Sequence, residues 1–222
     1  MRRAMTGTLW VIPLLSALTA GCTPSEPTSV GWLPNPELDL MYRAAQSGGK
    51  PAVSKAPQEG EWAVSGRRPW KYIIIHHSAT DSGSAGSFDK MHRAKGWDEL
   101  GYHFVIDNGN GGPDGRVEVG SRWRTQKWGA HTGGTPDNEY NNYGIGICLV
   151  GDFTSHLPTD AQIASLRRLV NYLMQTYDVP PGRVIGHRDA PAAKTDCPGR
   201  ALYSYMNTNL RGEFARAVVV GR

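Results

Sequence analysis

Cysteine is scarce in this chain, and long apolar runs are absent. Three cysteines, Cys22, Cys148 and Cys197, stand among 222 residues, so the fold does not rest on a disulfide framework. Cys148 falls in the apolar run IGICLVGDF and reads as a small core residue. Cys197 falls in a polar loop before Pro198-Gly199, and a disulfide between the two is not expected. The longest apolar run, LWVIPLLSALTA, is 12 residues long and contains Pro13, too short to span a bilayer. Nothing repeats at a fixed period, which excludes solenoids and arrays. Charge of one sign is also lacking. The formal net charge is +4, and without Arg2 and Arg3 it is +2, too little to argue for a nucleic-acid partner.

Residues 1–22 read as a targeting signal. MRRAMTG carries two arginines and no acid, the apolar run follows, and LTAGC closes it with small residues and Cys22. This resembles a bacterial lipoprotein signal, in which the cysteine is lipidated, although Thr19 stands where Leu is usual. A plain secretory signal is the alternative. Thr23 after the cysteine is not the Asp that favours inner-membrane retention, so in a two-membrane envelope an outer-membrane anchor facing the periplasm is expected. Residues 23–66, with TPSEPTS and QSGGKPAVSKAPQEGE, read as a flexible tether. PELDLMYRAA within it is expected to form a helical turn. A flexible coil of this length spans roughly 35–40 Å.

One folded domain is expected over residues 67–215. YIII (72–75) and IGICLVG (145–151) read as buried strands. SFDKMHRAK (87–95) reads as a helix with Phe88, Met91 and Ala94 inward, stopped at Gly96. GYHFVID (101–107) alternates, with Tyr102, Phe104 and Ile106 on one face, and pairs across NGNGGPDG with RVEVG as a hairpin. Thr159 and Gln162 form a capping box for a helix whose apolar face carries Ile163, Leu166, Val170, Leu173 and Tyr177. RVIGH (183–187) is the last strand. Strands alternating with helices predict an α/β fold, a central mixed sheet flanked by helices.

The chemistry gathers at two strand ends and one loop. His76 closes YIIIH, His187 closes RVIGH, and Cys197 returns ten residues later. If the two strands are neighbours, two imidazoles and a thiolate meet as a zinc-type ligand set with a fourth position open to water. Each histidine taken singly is more often structural than a ligand.

The segments IIIHHSAT, GWDELGYHFVID, WGAHTGG, NNYGIGICLVGDF and VIGHRDAPAAKTDCPG occur in that order. Together they resemble the zinc-dependent N-acetylmuramoyl-L-alanine amidase family, which shares its fold with peptidoglycan recognition proteins. The resemblance covers about residues 67–205. It implies hydrolysis of the amide between N-acetylmuramic acid and L-alanine in peptidoglycan, with Zn2+ held by His76, His187 and Cys197. Strand alternation puts only one of His76 and His77 into the site and does not say which; the resemblance selects His76. Recognition-only relatives have lost the cysteine that is present here. Tyr102 is implied as an oxyanion donor. Thr195 is implied beside it, with Lys194 as the rival because the loop is longer than usual. His131, Asn142 and Trp128 are candidate substrate contacts, and Trp123 is a weaker one. Arg188 and Asp189 either orient the His187 ring or pair within their loop. His92, His103 and His156 carry no chemical case, and no carboxylate base stands out. The expected partners are peptidoglycan or muropeptides and a membrane reached through the lipid anchor, and a monomer is expected. Two rivals remain. A muropeptide-binding module without catalysis predicts a lost ligand, and none is lost. A cysteine hydrolase would use Cys197 as nucleophile and His187 as base.

Overall fold

The computed structural model describes residues 60–211. The signal, Cys22, the helical turn of 36–45, most of the tether and residues 212–215 lie outside the described residues. Five strands form one mixed sheet: β1 (Tyr72–His77), β2 (Phe104–Ile106), β3 (Val117–Val119), β4 (Gly144–Leu149) and β5 (Val184–Gly186), in the order β3-β2-β4-β1-β5. Only the β2–β3 hairpin is antiparallel; β2–β4, β4–β1 and β1–β5 run parallel. The helices are α1 (Ala85–Ala94), α2 (Ser121–Arg124), α3 (Glu139–Asn142), α4 (Asp160–Tyr177) and α5 (Arg200–Tyr205).

The two faces of the sheet do different work. Side chains alternate along a strand. Ile73, Ile75, Phe104, Ile106, Ile145, Ile147 and Leu149 therefore face one way, against Leu166, Leu169, Val170 and Leu173 of α4. Burying each of these α4 leucines stabilises the fold by roughly 1.5–3 kcal/mol. Thr159 caps α4, accepting from the Gln162 N–H, while the Gln162 side chain returns to the Thr159 N–H. The Gln162 amide also donates to the carbonyls of Ile106 and Val150, which ties this helix start to the ends of β2 and β4. The opposite face carries a smaller cluster of Phe88, Leu100, Val105, Cys148 and Val150. His76 is the register partner of Cys148, so it shares that face.

Three sequence expectations change in detail. In α1, capped by Ser84, Phe88 and His92 are the buried residues and Met91 is exposed; the inner face follows the i, i+4 pair. Tyr102 does not share a face with Phe104 and Ile106. The ladder begins only at Phe104, so the two-residue period does not reach back to Tyr102, which packs on the Cys148 side. The folded domain also begins before Arg67. Trp62, inside the segment read as tether, is 2% exposed in the main core, where its carbonyl accepts from Trp123 Nε1.

Candidate metal centre

Ile75 pairs with Gly186 across the parallel β1–β5 ladder. His76 and His187 therefore follow one residue later on both strands, side by side, with ring centroids 4.7 Å apart. β1 runs on to His77, but the two neighbours point to opposite faces. His77 turns to Phe153, accepting from its N–H, and lies near Asp152. His76 is 1% exposed and enters the cluster. His187 opens a short 3-10 turn, His187–Asp189, directly after β5.

The loop after that turn brings Cys197 back. Arg188 donates its backbone N–H to the Cys197 carbonyl and its guanidinium pairs with Asp196. Asp189 accepts from the Gly186 N–H and from the Tyr203 hydroxyl. Both residues thus fasten the loop and pair within it. Gly199, at φ 90°, sits against the Phe153 backbone, where a Cβ would lie 2.4 Å from the Phe153 carbonyl carbon. That close approach returns the chain from Cys197 into α5. The ligand atoms of His76, His187 and Cys197 lie within 4.8 Å of one another. Cys197 Sγ is 3.7 Å from His76 Nδ1 and accepts the His77 N–H at 3.4 Å.

These donors fit zinc. Bonds of about 2.0 Å to nitrogen and 2.3 Å to sulfur at a tetrahedral angle place N and S about 3.5 Å apart, close to the 3.7 Å found. Burial, then the neighbouring His131 and His187, holds the His76 pKa well below the usual imidazole range. Burial also lowers His187. Both rings are neutral near pH 7, the form that ligates. Burial pushes the Cys197 thiol up to about 12, against the His77 N–H that favours the thiolate. A zinc ion held by these three groups would favour the thiolate over the thiol.

Tyr102 stands beside the cluster, its ring centroid 5.2 Å from that of His76. Burial, with Cys148 and Cys197 nearby, raises its pKa well above the ordinary phenol value, so the hydroxyl keeps its proton as a donor. Thr195 is half-buried and its Oγ1 accepts the Cys197 N–H at 3.1 Å, which leaves its own hydroxyl proton free to donate. Lys194 is exposed.

Other candidates fall elsewhere. His131 is not open to a groove: it is 7% exposed, its Nδ1 is 3.1 Å from His76 Nε2 and its Nε2 is 3.2 Å from the Gly144 carbonyl. No ring nitrogen remains for substrate. Trp123 is fully buried in the main core and cannot flank a groove. Asn142 spends its side-chain amide on the Asp137 carbonyl. Its neighbour Asn141, which sequence reasoning passed over, is the buried organiser. Its Oδ1 accepts from the N–H groups of His131 and Thr132, and its Nδ2 donates to the Thr132 carbonyl. Trp128 is 48% exposed. Its segment runs beside that of Tyr102, since Ala130 N–H donates to the Gly101 carbonyl. Buried Arg122 joins these segments through the Leu100 and Trp128 carbonyls and an ion pair with Asp98. His103 is buried and satisfied, accepting from Gly146 N–H and facing the Lys127 carbonyl. His92 accepts from Gly101 N–H. Cys148 and Cys197 are free thiols.

Residues 66–200 match the model of the N-acetylmuramoyl-L-alanine amidase family. The chain belongs to this family. It is 31% identical over 154 residues to an N-acetylmuramoyl-L-alanine amidase of Sus scrofa, covering 63% of this chain and 23% of that protein. The chain thus spans about a quarter of the mammalian relatives it matches. In structure it is similar to the N-acetylmuramoyl-L-alanine amidase LysC from Clostridium intestinale URNW, with TM-score 0.53, 25% identity, and coverage of 67% of this chain and 95% of that one. It is also similar to human PGRP-IBETAC in complex with glycosamyl muramyl pentapeptide, with TM-score 0.52, 25% identity, and coverage of 67% and 92%.

Proposed function

We propose that this family member is a catalytically competent zinc amidase that cleaves the amide between the lactyl group of N-acetylmuramic acid and L-alanine. The observation that carries the reading is the complete His76–His187–Cys197 set, with donor atoms within 4.8 Å and Tyr102 beside it. A binding module has no use for a buried thiol held next to two neutral imidazoles. The related human protein bound to a muramyl pentapeptide supports peptidoglycan fragments as the substrate class.

A bound Zn2+ supplies Lewis-acid polarisation of the scissile carbonyl and makes water acidic enough to attack near neutral pH. The chain's own residues do the rest. His76, His187 and Cys197 would hold the ion, and the His77 N–H would stabilise the thiolate. Tyr102, protonated throughout, donates to the carbonyl oxygen as negative charge grows on it. Thr195 supplies a second hydroxyl from the turn that carries Cys197. To exposed Trp128 we assign contact with the sugar or stem peptide. For location we propose the cell envelope, with the domain anchored through lipidated Cys22 and reaching the wall on the tether.

The test is mass spectrometry of purified muropeptides incubated with the protein, with a chelator, and with zinc restored. Separate sugar and peptide masses, lost on chelation and regained with zinc, are the expected result. Intact muropeptides in every arm would move the weight to a binding module. Cleavage that resists chelation and stops on thiol alkylation would favour the cysteine hydrolase.

A further inference from the structure

We infer that His131 is a positioning residue whose ring fixes the tautomer of His76 and so presents the Nδ1 lone pair of His76 to the metal. The inference rests on the zinc reading above and adds a residue that touches no substrate.

The argument follows one proton at a time. The Gly144 carbonyl can only accept. His131 Nε2, 3.2 Å away, therefore carries the proton. A neutral ring protonated at Nε2 has its lone pair on Nδ1. That atom lies 3.1 Å from His76 Nε2, so His76 donates through Nε2. The remaining lone pair of His76 is then on Nδ1, the atom that faces Cys197 Sγ at 3.7 Å. A single backbone carbonyl thus dictates, through two imidazoles, which nitrogen of His76 is available as ligand.

The His131 ring is held where this relay needs it. A Cβ on Gly129 would lie 2.3 Å from its Cδ2, and a Cβ on Gly146 would lie 2.4 Å from the same atom. The ring therefore fills the space left by two residues without side chains. Asn141 holds the backbone on either side of the ring's attachment through the N–H groups of His131 and Thr132. Ligand histidines commonly donate their second nitrogen to a carboxylate, a carbonyl or water. Here the acceptor is a neutral imidazole, which orients His76 without adding negative charge beside the ion.

The test measures Zn2+ affinity of the full chain by competition with a chromophoric chelator, and His76 tautomers by long-range 1H–15N NMR of the zinc-free protein. His131→Leu is expected to weaken zinc about 10–100-fold. His131→Gln, which keeps one acceptor and one donor, is expected to recover most of that loss, whereas a purely space-filling role would favour Leu over Gln. In the wild type, His76 is expected to be protonated at Nε2. His76 protonated at Nδ1, or wild-type zinc affinity in folded His131→Leu, would overturn the inference. Should His131→Leu not fold, Gly146→Ala displaces the same ring and is read the same way. A wild type that binds no zinc overturns both this inference and the proposed function. Zinc bound with the expected pattern while muropeptides stay whole would sink hydrolysis alone and support the relay.

Discussion

The main-chain N–H of His77 points at the sulfur of Cys197 across 3.4 Å, so the strand that carries one candidate metal ligand also donates to another. The donor is fixed by the β1 backbone and serves a thiolate better than a thiol. Cys197→Ser keeps a small polar group but removes the soft, ionisable ligand. We expect hydrolysis below about 1% of wild type, with zinc content lost in parallel. Product release by mass spectrometry and metal analysis of the same samples check this; an active, zinc-replete serine variant would contradict it.

Tyr102→Phe separates packing from chemistry. The ring stays against the Cys148 cluster and only the donor is lost. The expected outcome is a fall in kcat of about 10²–10³-fold, with zinc affinity unchanged and stability altered by less than about 1 kcal/mol. Steady-state kinetics beside a thermal melt tell the two effects apart.

Thr195 and Lys194 divide by exposure. Thr195 is half-buried and bonded to the Cys197 N–H, whereas Lys194 is exposed. Thr195→Ala is expected to lower kcat by about 10²-fold and Lys194→Ala by less than about fivefold. The reverse order in kcat would assign the oxyanion contact to the lysine.

Acid should unfold the zinc-free protein early. Burial holds the His103 pKa down at about 4, below its unfolded value of about 6.5. Between those values the unfolded chain binds the extra proton, so stability is full above about 6.5 and is lost as pH falls towards 4. His103 alone accounts for about 3 kcal/mol over that window, and His76 and His131 shift in the same direction. Asp107, pushed up to about 6 chiefly by burial and by Glu118, works oppositely: its contribution is full below about 3.9 and is lost as pH rises through 6. The histidines outnumber it. Urea midpoints at pH 7 and pH 5 should therefore drop on acidification. A flat profile would contradict the neutral, buried histidines.

Much of this site is legible in the sequence. Two strand-end histidines and a returning cysteine pointed to a metal set, the motif order pointed to the family, and the capping box at Thr159 and Gln162 is in place. What escaped depended on contacts distant in sequence. Tyr102 lies just outside its ladder, where alternation has no force. His131 looked like a groove residue because its two partners, His76 and Gly144, lie 55 positions before it and 13 after it. The glycines of NNYGIGICLVG carried the missing signal, since glycine in a strand often marks close approach of another group. Asn141 and Asn142 are adjacent and alike, and only the turn of α3 decides which one is buried.

The most direct measurement is hydrolysis of a purified muropeptide in 18O-labelled water by the zinc-loaded protein. The account predicts that the heavy oxygen appears in the lactyl carboxylate of the released sugar, while the stem peptide leaves unlabelled with a free L-alanine amine. Label within the peptide, or an intact muropeptide with zinc bound, would contradict it.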